Sequence, residues 1–169
     1  MEAIYKRRNV RSYGDRPVPE AVVESLLRAA MQAPSAGNQQ PWEFLVVRDR
    51  TVLEEMAEAS PYARMLKGAP VAIVLLMRSR GLQFSSWSVQ DMSAATENML
   101  LAAAAQDLGA VWLGIWPDDG RVEALRRILH VPEELAPFSV VSLGWPQSPP
   151  DPVDRWMPER VWQDRYGQR

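Results

Sequence analysis

Residues 69–77 carry no charged or hydrogen-bonding side chain, and that run constrains the fold more than any other stretch of the chain. It is far shorter than the ~20 apolar residues that span a bilayer. Its β-branched residues Val71, Ile73 and Val74 favour a strand, and its unbroken apolar character is that of a strand buried on both faces. Such a strand requires a sheet with cover on each side. The flanking periodicities supply it. Residues 2–8 read as a short helix, and Pro17 and Pro19 mark an extended link. From 20 to 33, Val22, Val23, Leu26, Leu27 and Ala30 recur at helical spacing behind Pro19. A strand is expected over 43–48, a helix over 50–59 capped by Asp49, and a helical turn with Tyr62, Arg64, Met65 and Lys67.

The longest helix is expected over 88–107. Its Ala94-Ala95 and Ala102-Ala103-Ala104-Ala105 runs suit close packing on several sides, in the core or at a seam between two copies, with Gly109 as its stop signal. A strand over 110–116, a helix opening near Asp118 or Asp119, and a strand over 138–143 complete the pattern. Helices alternate with strands, so the class is α/β or α+β with helices covering a sheet. The 169 residues suffice for one domain, residues 1–169, with a substantial core. From 146 to 169 the composition shifts: five of the 14 prolines fall there, with Trp156, Val161, Trp162 and Tyr166. This tail cannot build a core of its own. It is either disordered or an arm whose aromatics are covered by a neighbouring subunit.

Several chemistries are excluded by what the chain lacks. There is no cysteine, hence no disulfide, thiolate nucleophile or sulfur-ligated metal. The single histidine, His130, cannot by itself build a multi-histidine metal site, and it reads as the end of a helix before Val131-Pro132. No two of the nine glycines stand two apart, so no Gly-x-Gly dinucleotide loop is present, and no glycine is followed by the lysine of a Walker loop. A net charge of −2 gives no reason to expect nucleic acid or an anionic membrane as partner. Charged Lys6-Arg7-Arg8 is followed by polar residues rather than an apolar core, so a cytoplasmic protein is expected.

Two stretches carry more polar chemistry than a fold requires. Ala33-Pro34-Ser35-Ala36-Gly37-Asn38-Gln39-Gln40-Pro41-Trp42 joins a helix to a strand with four hydrogen-bonding side chains, where a plain link needs about 2–6 residues. It is either a ligand-contacting loop or a self-capped surface loop. Arg7 and Arg11 are four apart, with Arg8 and Asn9 between. On a helix end they share a face and can clamp one phosphate; otherwise they form a solvated basic face.

These two blocks occur in order with Gln90-Asp91-Met92-Ser93-Ala94-Ala95-Thr96-Glu97-Asn98, Leu108-Gly109-Ala110-Val111-Trp112-Leu113-Gly114, Ser142-Leu143-Gly144-Trp145-Pro146 and a tail bearing Asp154-Arg155. Together they resemble the nitroreductase family of FMN-dependent oxidoreductases in its compact form, over nearly the whole chain. The resemblance implies an α+β sandwich: a central, mostly antiparallel sheet flanked by helices, with the C-terminal arm exchanged in a homodimer. It implies FMN bound through Arg7, Arg8, Asn9 and Arg11, with Asn9 where the family usually has serine. It places Pro34, Ser35 and Asn38 against the flavin of the second subunit, and Leu113, Gly114 and Ile115 near its N5. Arg155 is implied at the phosphate and Arg64 near the pyrimidine edge.

The implied activity is reduction of small electron-poor substrates, nitroaromatics or quinones, by NADH or NADPH in two alternating half-reactions. Flavin N5 carries the hydride, so no catalytic side chain is required. Reductive dehalogenases and a flavin-consuming benzimidazole synthase share the fold, and a flavin-storage module is the alternative outside enzymes. Trp87, Trp112 and Trp116 either wall a flat substrate pocket or pack in the core.

Overall fold

The computed structural model describes residues 1–148 and 151–168. The run at 69–77 is the second of four strands: β1 (Trp42–Val47), β2 (Val71–Arg78), β3 (Gly109–Gly114) and β4 (Leu135–Gly144). They stand in the order β1-β2-β4-β3, and every neighbouring pair is antiparallel. Among the described residues five α-helices surround them: α1 (Glu2–Lys6), α2 (Glu20–Met31), α3 (Arg50–Glu58), α4 (Ser88–Ala105) and α5 (Asp119–Leu129). This is an α+β arrangement with helices on both faces of the sheet.

Side-chain alternation along β2 sorts the core into two layers. Val71, Ile73, Leu75 and Met77 pack with Leu26 and Ala30 of α2 and with Met92, Met99 and Ala103 of α4. Ala72, Val74 and Leu76 pack on the other face with Leu53 and Met56 of α3 and Val122 and Leu125 of α5. Burial of each such side chain contributes about 1.5–3 kcal/mol. Asp49 caps α3 by accepting the Val52 N–H at 3.0 Å, and Asp118 caps α5 by accepting the Arg121 N–H at 3.1 Å. His130 ends α5 in a left-handed conformation, φ 53°.

The small residues of α4 do let it pack on several sides: it touches α1, α2, β2, β3 and β4. Its stop signal is not Gly109. The helix ends at Ala105 with Gln106 as its C-cap, and Asp107 takes the left-handed turn at φ 60°. Gly109 opens β3, and a Cβ there would stand 2.6 Å from Val10 Cγ1. Close approach of the Val10 side chain to this stretch of backbone, not capping, explains that glycine. Gly109→Ala is expected to lower stability by about 1–3 kcal/mol through overpacking. An unchanged midpoint in chemical denaturation would show that Val10 yields freely.

β4 tolerates Pro137 because its register with β2 slips there. Leu75 faces Ser139 and Leu76 faces Pro137, so Phe138 is an extra residue. The Phe138 carbonyl then accepts the N–H groups of Ile115 (3.3 Å) and Trp116 (3.0 Å), which fixes where the chain leaves β3.

The segment after α1 is extended, not helical. It runs along the outer edge of β3, with a parallel bridge at Asn9–Ala110 and an antiparallel bridge at Tyr13–Pro146. Buried Tyr13 pins it, donating to the Val10 carbonyl at 2.8 Å with Ser142 Oγ 2.9 Å away. Burial pushes the Tyr13 phenol up to about 12. Beyond Pro146 the chain forms no strand among the described residues, and only a 3-10 turn at Pro158–Arg160. From 151 to 168 every residue is exposed except half-buried Trp162, whose ring lies 5.0 Å from that of Tyr166. Pro149 and Pro150, two of the tail's five prolines, lie outside the described residues.

Candidate active site

β3 is an edge strand, and its backbone defines a cleft. The Ile115 N–H turns inward to β4, whereas the Ala110 carbonyl turns outward and accepts the Val10 N–H at 2.9 Å. Alternation along an antiparallel strand therefore aims the N–H and C=O of Trp112 and Gly114 outward as well. Arg121 Nη1 takes the Gly114 carbonyl at 3.0 Å. The Gly114 N–H faces a cleft of about 450 Å³ whose lining includes Arg11, Tyr62, Arg64, Met65, Trp112, Leu113, Gly114, Ile115 and Arg121. That volume lies within the range of small-molecule sites, roughly 300–1,000 Å³.

Four separate elements converge here. Arg11 comes from the extended amino-terminal segment, Tyr62 and Arg64 from the turn after α3, residues 112–115 from β3, and Arg121 from the first turn of α5. Three guanidinium groups line the cleft and no carboxylate does. Leu113 and Ile115 are buried, so the strand end is rigid, while Gly114 is exposed. Nothing in the protomer demands glycine at 114: its φ is not left-handed, and an added Cβ would meet no atom within 4 Å. A strand glycine that neither turn nor packing explains leaves its backbone open to close approach from outside the protomer.

A second cavity, about 120 Å³, lies along the same segment, between Arg7, Arg8, Val10, Leu100, Ala104 and Pro146. Arg7 and Asn9 touch as residues two apart on an extended strand do, with Arg7 Nη1 donating to Asn9 Oδ1 at 3.3 Å. Arg7 Nε lies 3.4 Å from Glu97 Oε1. Arg8 Nη1 is buried without a hydrogen-bond partner. An unpaired buried cationic donor is costly, so this arginine is suited to an anion brought from elsewhere.

The loop at 33–42 is self-capped in part. Ser35 Oγ accepts the Gln40 N–H at 3.0 Å, and Gln39 Nε2 donates to Asp91 Oδ2 at 2.7 Å. The Ala36 N–H donates to Asp91 Oδ1 at 3.0 Å, and Arg78 holds the Gln39 and Gln40 carbonyls. Gly37, Asn38 and Gln40 all adopt positive φ. The loop is thus locked, while Pro34 and Asn38 stay exposed. It leads into β1, whereas the cleft borders β3, at the opposite edge of the sheet. Three strand spacings of about 4.8 Å put some 14 Å between those edges.

One protomer therefore brings Arg11, Arg64, Leu113, Gly114 and Ile115 to one cleft, places Arg7 and Arg8 at the second cavity with Asn9 next to them in the chain, and leaves Pro34, Ser35 and Asn38 apart. Arg155 lies in the exposed tail. Trp112 is half-buried, 6.0 Å from Phe138, and also lines the cleft; Trp87 and Trp116 are exposed. Arg121 and Tyr62 were not singled out as site residues from sequence. Arg121 sits three residues after the helix cap Asp118, a position that reads as solvated surface. Yet its Nε pairs with Asp118 Oδ2 at 3.2 Å and its guanidinium lies over the Tyr62 ring at 5.4 Å.

The model of the nitroreductase family matches residues 4–145. The chain belongs to that family. A relative in Archaeoglobus fulgidus, provisionally named an NADH dehydrogenase/NAD(P)H nitroreductase, is 46% identical over 98% of this chain and 98% of its own length. The crystal structure of a provisionally named NADH oxidase from Clostridium acetobutylicum superposes with a TM-score of 0.94 at 46% identity, covering 97% of this chain and 99% of that one. A provisionally named nitroreductase from Desulfovibrio desulfuricans, solved in complex with FMN, matches at TM-score 0.83 and 30% identity, over 98% of this chain and 96% of that one. These neighbours share the α+β sandwich, and membership makes this protein an oxidoreductase of the nitroreductase type. No described helix is long and apolar enough to cross a membrane.

Proposed function

We propose that this protein is an FMN-dependent NAD(P)H oxidoreductase that reduces small electron-poor acceptors such as nitroaromatics and quinones, and that it works as a cytoplasmic homodimer. The observation that carries the reading is Gly114, an unforced glycine whose N–H and bare Cα face an arginine-lined cleft. The residues present suit FMN. Arg8 has a buried donor without a partner, and Arg7 and Asn9 stand beside it, which is the chemistry a phosphate and a ribityl chain require. Arg11 and Arg64 line the cleft alongside Leu113, Gly114 and Ile115, giving a flat heterocycle a rigid edge of backbone donors and guanidinium groups. When bound, FMN supplies two-electron transfer from NADH or NADPH to the acceptor.

The remaining work falls to the chain. The guanidinium groups of Arg11 and Arg64 stabilise a ligand that gains negative charge, and the Gly114 N–H offers a donor that needs no reorganisation. No side chain has to move a proton at an acid–base centre, in keeping with a chain that has one histidine and no cysteine. Pro34, Ser35 and Asn38 belong, in this reading, to the site of a second copy. The locked loop leaves Pro34 and Asn38 exposed, and it leads into the strand at the opposite edge of the sheet from the protomer's own cleft. Residues 1–169 then form one domain whose arm, 146–169, lies on the neighbour and brings Arg155 to the phosphate. Exposed Trp156, Val161 and Tyr166 are the surfaces such a neighbour would cover.

The purified protein is expected to be yellow, or to become so with added FMN, and to bleach anaerobically with NADH or NADPH. Reoxidation by a nitroaromatic or a quinone should follow within turnover. A colourless protein that leaves FMN fluorescence unquenched overturns the reading.

A further inference from the structure

We infer that Asp91 is a positioning residue for the neighbouring copy's site: one buried carboxylate fixes the turn that presents Asn38. The inference rests on the shared flavin site proposed above and adds a residue which that reading does not name. Its grounds are geometric. Asp91 is 5% exposed and lies in the first turn of α4, where the positive end of the helix dipole favours a carboxylate. Both of its oxygens are taken by the loop. Oδ1 accepts the Ala36 N–H at 3.0 Å, and Oδ2 accepts from Gln39 Nε2 at 2.7 Å. Between these two anchors lie Gly37 and Asn38, at left-handed φ of 54° and 55°.

A non-glycine residue keeps a left-handed φ only where its surroundings over-determine it. Here the Ala36 N–H belongs to the same peptide as the Ser35 carbonyl, and that carbonyl accepts the Asn38 N–H at 3.0 Å. Asp91 thus orients the peptide to which the Asn38 backbone is bound. The loop's other ties, Arg78 to the Gln39 and Gln40 carbonyls and Ser35 Oγ to the Gln40 N–H, close after Asn38. Gln39 has one amide orientation open to it: Nε2 also donates to the Phe84 carbonyl, and Oε1 accepts the Phe84 N–H, each at 3.0 Å. Asp91 therefore meets two donors. A carboxylate satisfies both, and an asparagine, with a single acceptor oxygen, satisfies one.

The test follows FMN binding, by fluorescence quenching, in full-length variants alone and in co-expressed pairs. Asp91→Asn leaves every cleft residue in place and is expected to weaken FMN binding about tenfold, the scale of one lost charge-assisted bond. Gln39→Glu breaks the same link from the loop by setting two carboxylates face to face. It should weaken binding as much, and it carries the test if Asp91→Asn does not fold. Each variant is then co-expressed with Gly114→Val, which obstructs the cleft. In a mixed dimer one site takes its cleft from the first copy and its loop from the Gly114→Val copy, so half the sites of mixed dimers should bind FMN with wild-type affinity. A carboxylate that merely supported its own protomer would leave both sites defective. Wild-type affinity in a folded Asp91→Asn protein, or mixed dimers without a site of wild-type affinity, overturns the role. Asn38→Asp paired with Gly114→Val separates the failures. Recovery in that pair alone removes only Asp91, recovery in neither removes the shared site as well, and wild-type protein that fails to bind FMN overturns the flavin reading.

Discussion

Gly114→Val is expected to lose flavin binding while the protein stays as stable as before, or gains slightly. The two halves of that result come from one observation. At most glycines of this fold a side chain would harm the protein itself. At Gly37 a Cβ would stand 2.4 Å from the Phe84 ring, and at Gly144 it would stand 2.8 Å from Tyr13 and Pro70. At Gly114 it would meet no atom within 4 Å, on an edge strand where valine is favoured. Removing a glycine's freedom in the unfolded chain stabilises by about 0.4–1 kcal/mol where the native φ permits. A ligand lying against that Cα meets the new methyl groups directly. Overpacking of this kind costs about 1–3 kcal/mol, which is roughly ten- to a hundredfold in affinity. Titration with FMN and a denaturation midpoint on the same preparation decide it. Wild-type affinity in the valine variant removes Gly114 from the site; lost stability puts its reason inside the protomer.

Sequence revealed the frame of this protein better than the joints of its site. The apolar run became β2 because an unbroken β-branched stretch admits few other fates. The caps at Asp49 and Asp118 were legible because an acidic side chain ahead of an apolar-periodic run has a local use. The spacing of Arg7 and Arg11 by four suits a helix face, but the pairing of Asn9 with Ala110 makes the segment extended, and the two arginines line different cavities. Ser35 and Gln39 looked like ligand contacts and are bound largely within the protein, to the Gln40 N–H and to Asp91. Their partners are nonlocal or backbone groups, which a pattern of residue types does not reveal. Only the surroundings show that Gly109 meets Val10 and Gly114 open space. Arg121 was missed because its partner is a backbone carbonyl, and every residue has one of those.

Co-expression of two defective variants is expected to restore flavin binding that neither shows alone, if each site is shared between copies. Gly114→Val closes the cleft but leaves the 33–42 loop intact. Asn38→Asp leaves the cleft open and places an acceptor-only carboxylate at an exposed position whose left-handed φ, 55°, aspartate tolerates. Against an anionic ligand that carboxylate is expected to weaken binding at least tenfold. In a two-fold dimer each site takes its cleft from one copy and its loop from the other. A mixed dimer therefore has one site with both changes and one with neither. Random assortment makes half of the dimers mixed, so about a quarter of wild-type flavin content should return. A site built within one protomer would always carry one of the two changes, and nothing would return. The loop's place beside β1 and the cleft's beside β3, at opposite edges of the sheet, make the shared site the expected outcome. Absence of recovery in dimers shown to be mixed would return the loop to its other reading, a self-capped surface turn held by Asp91 and Arg78.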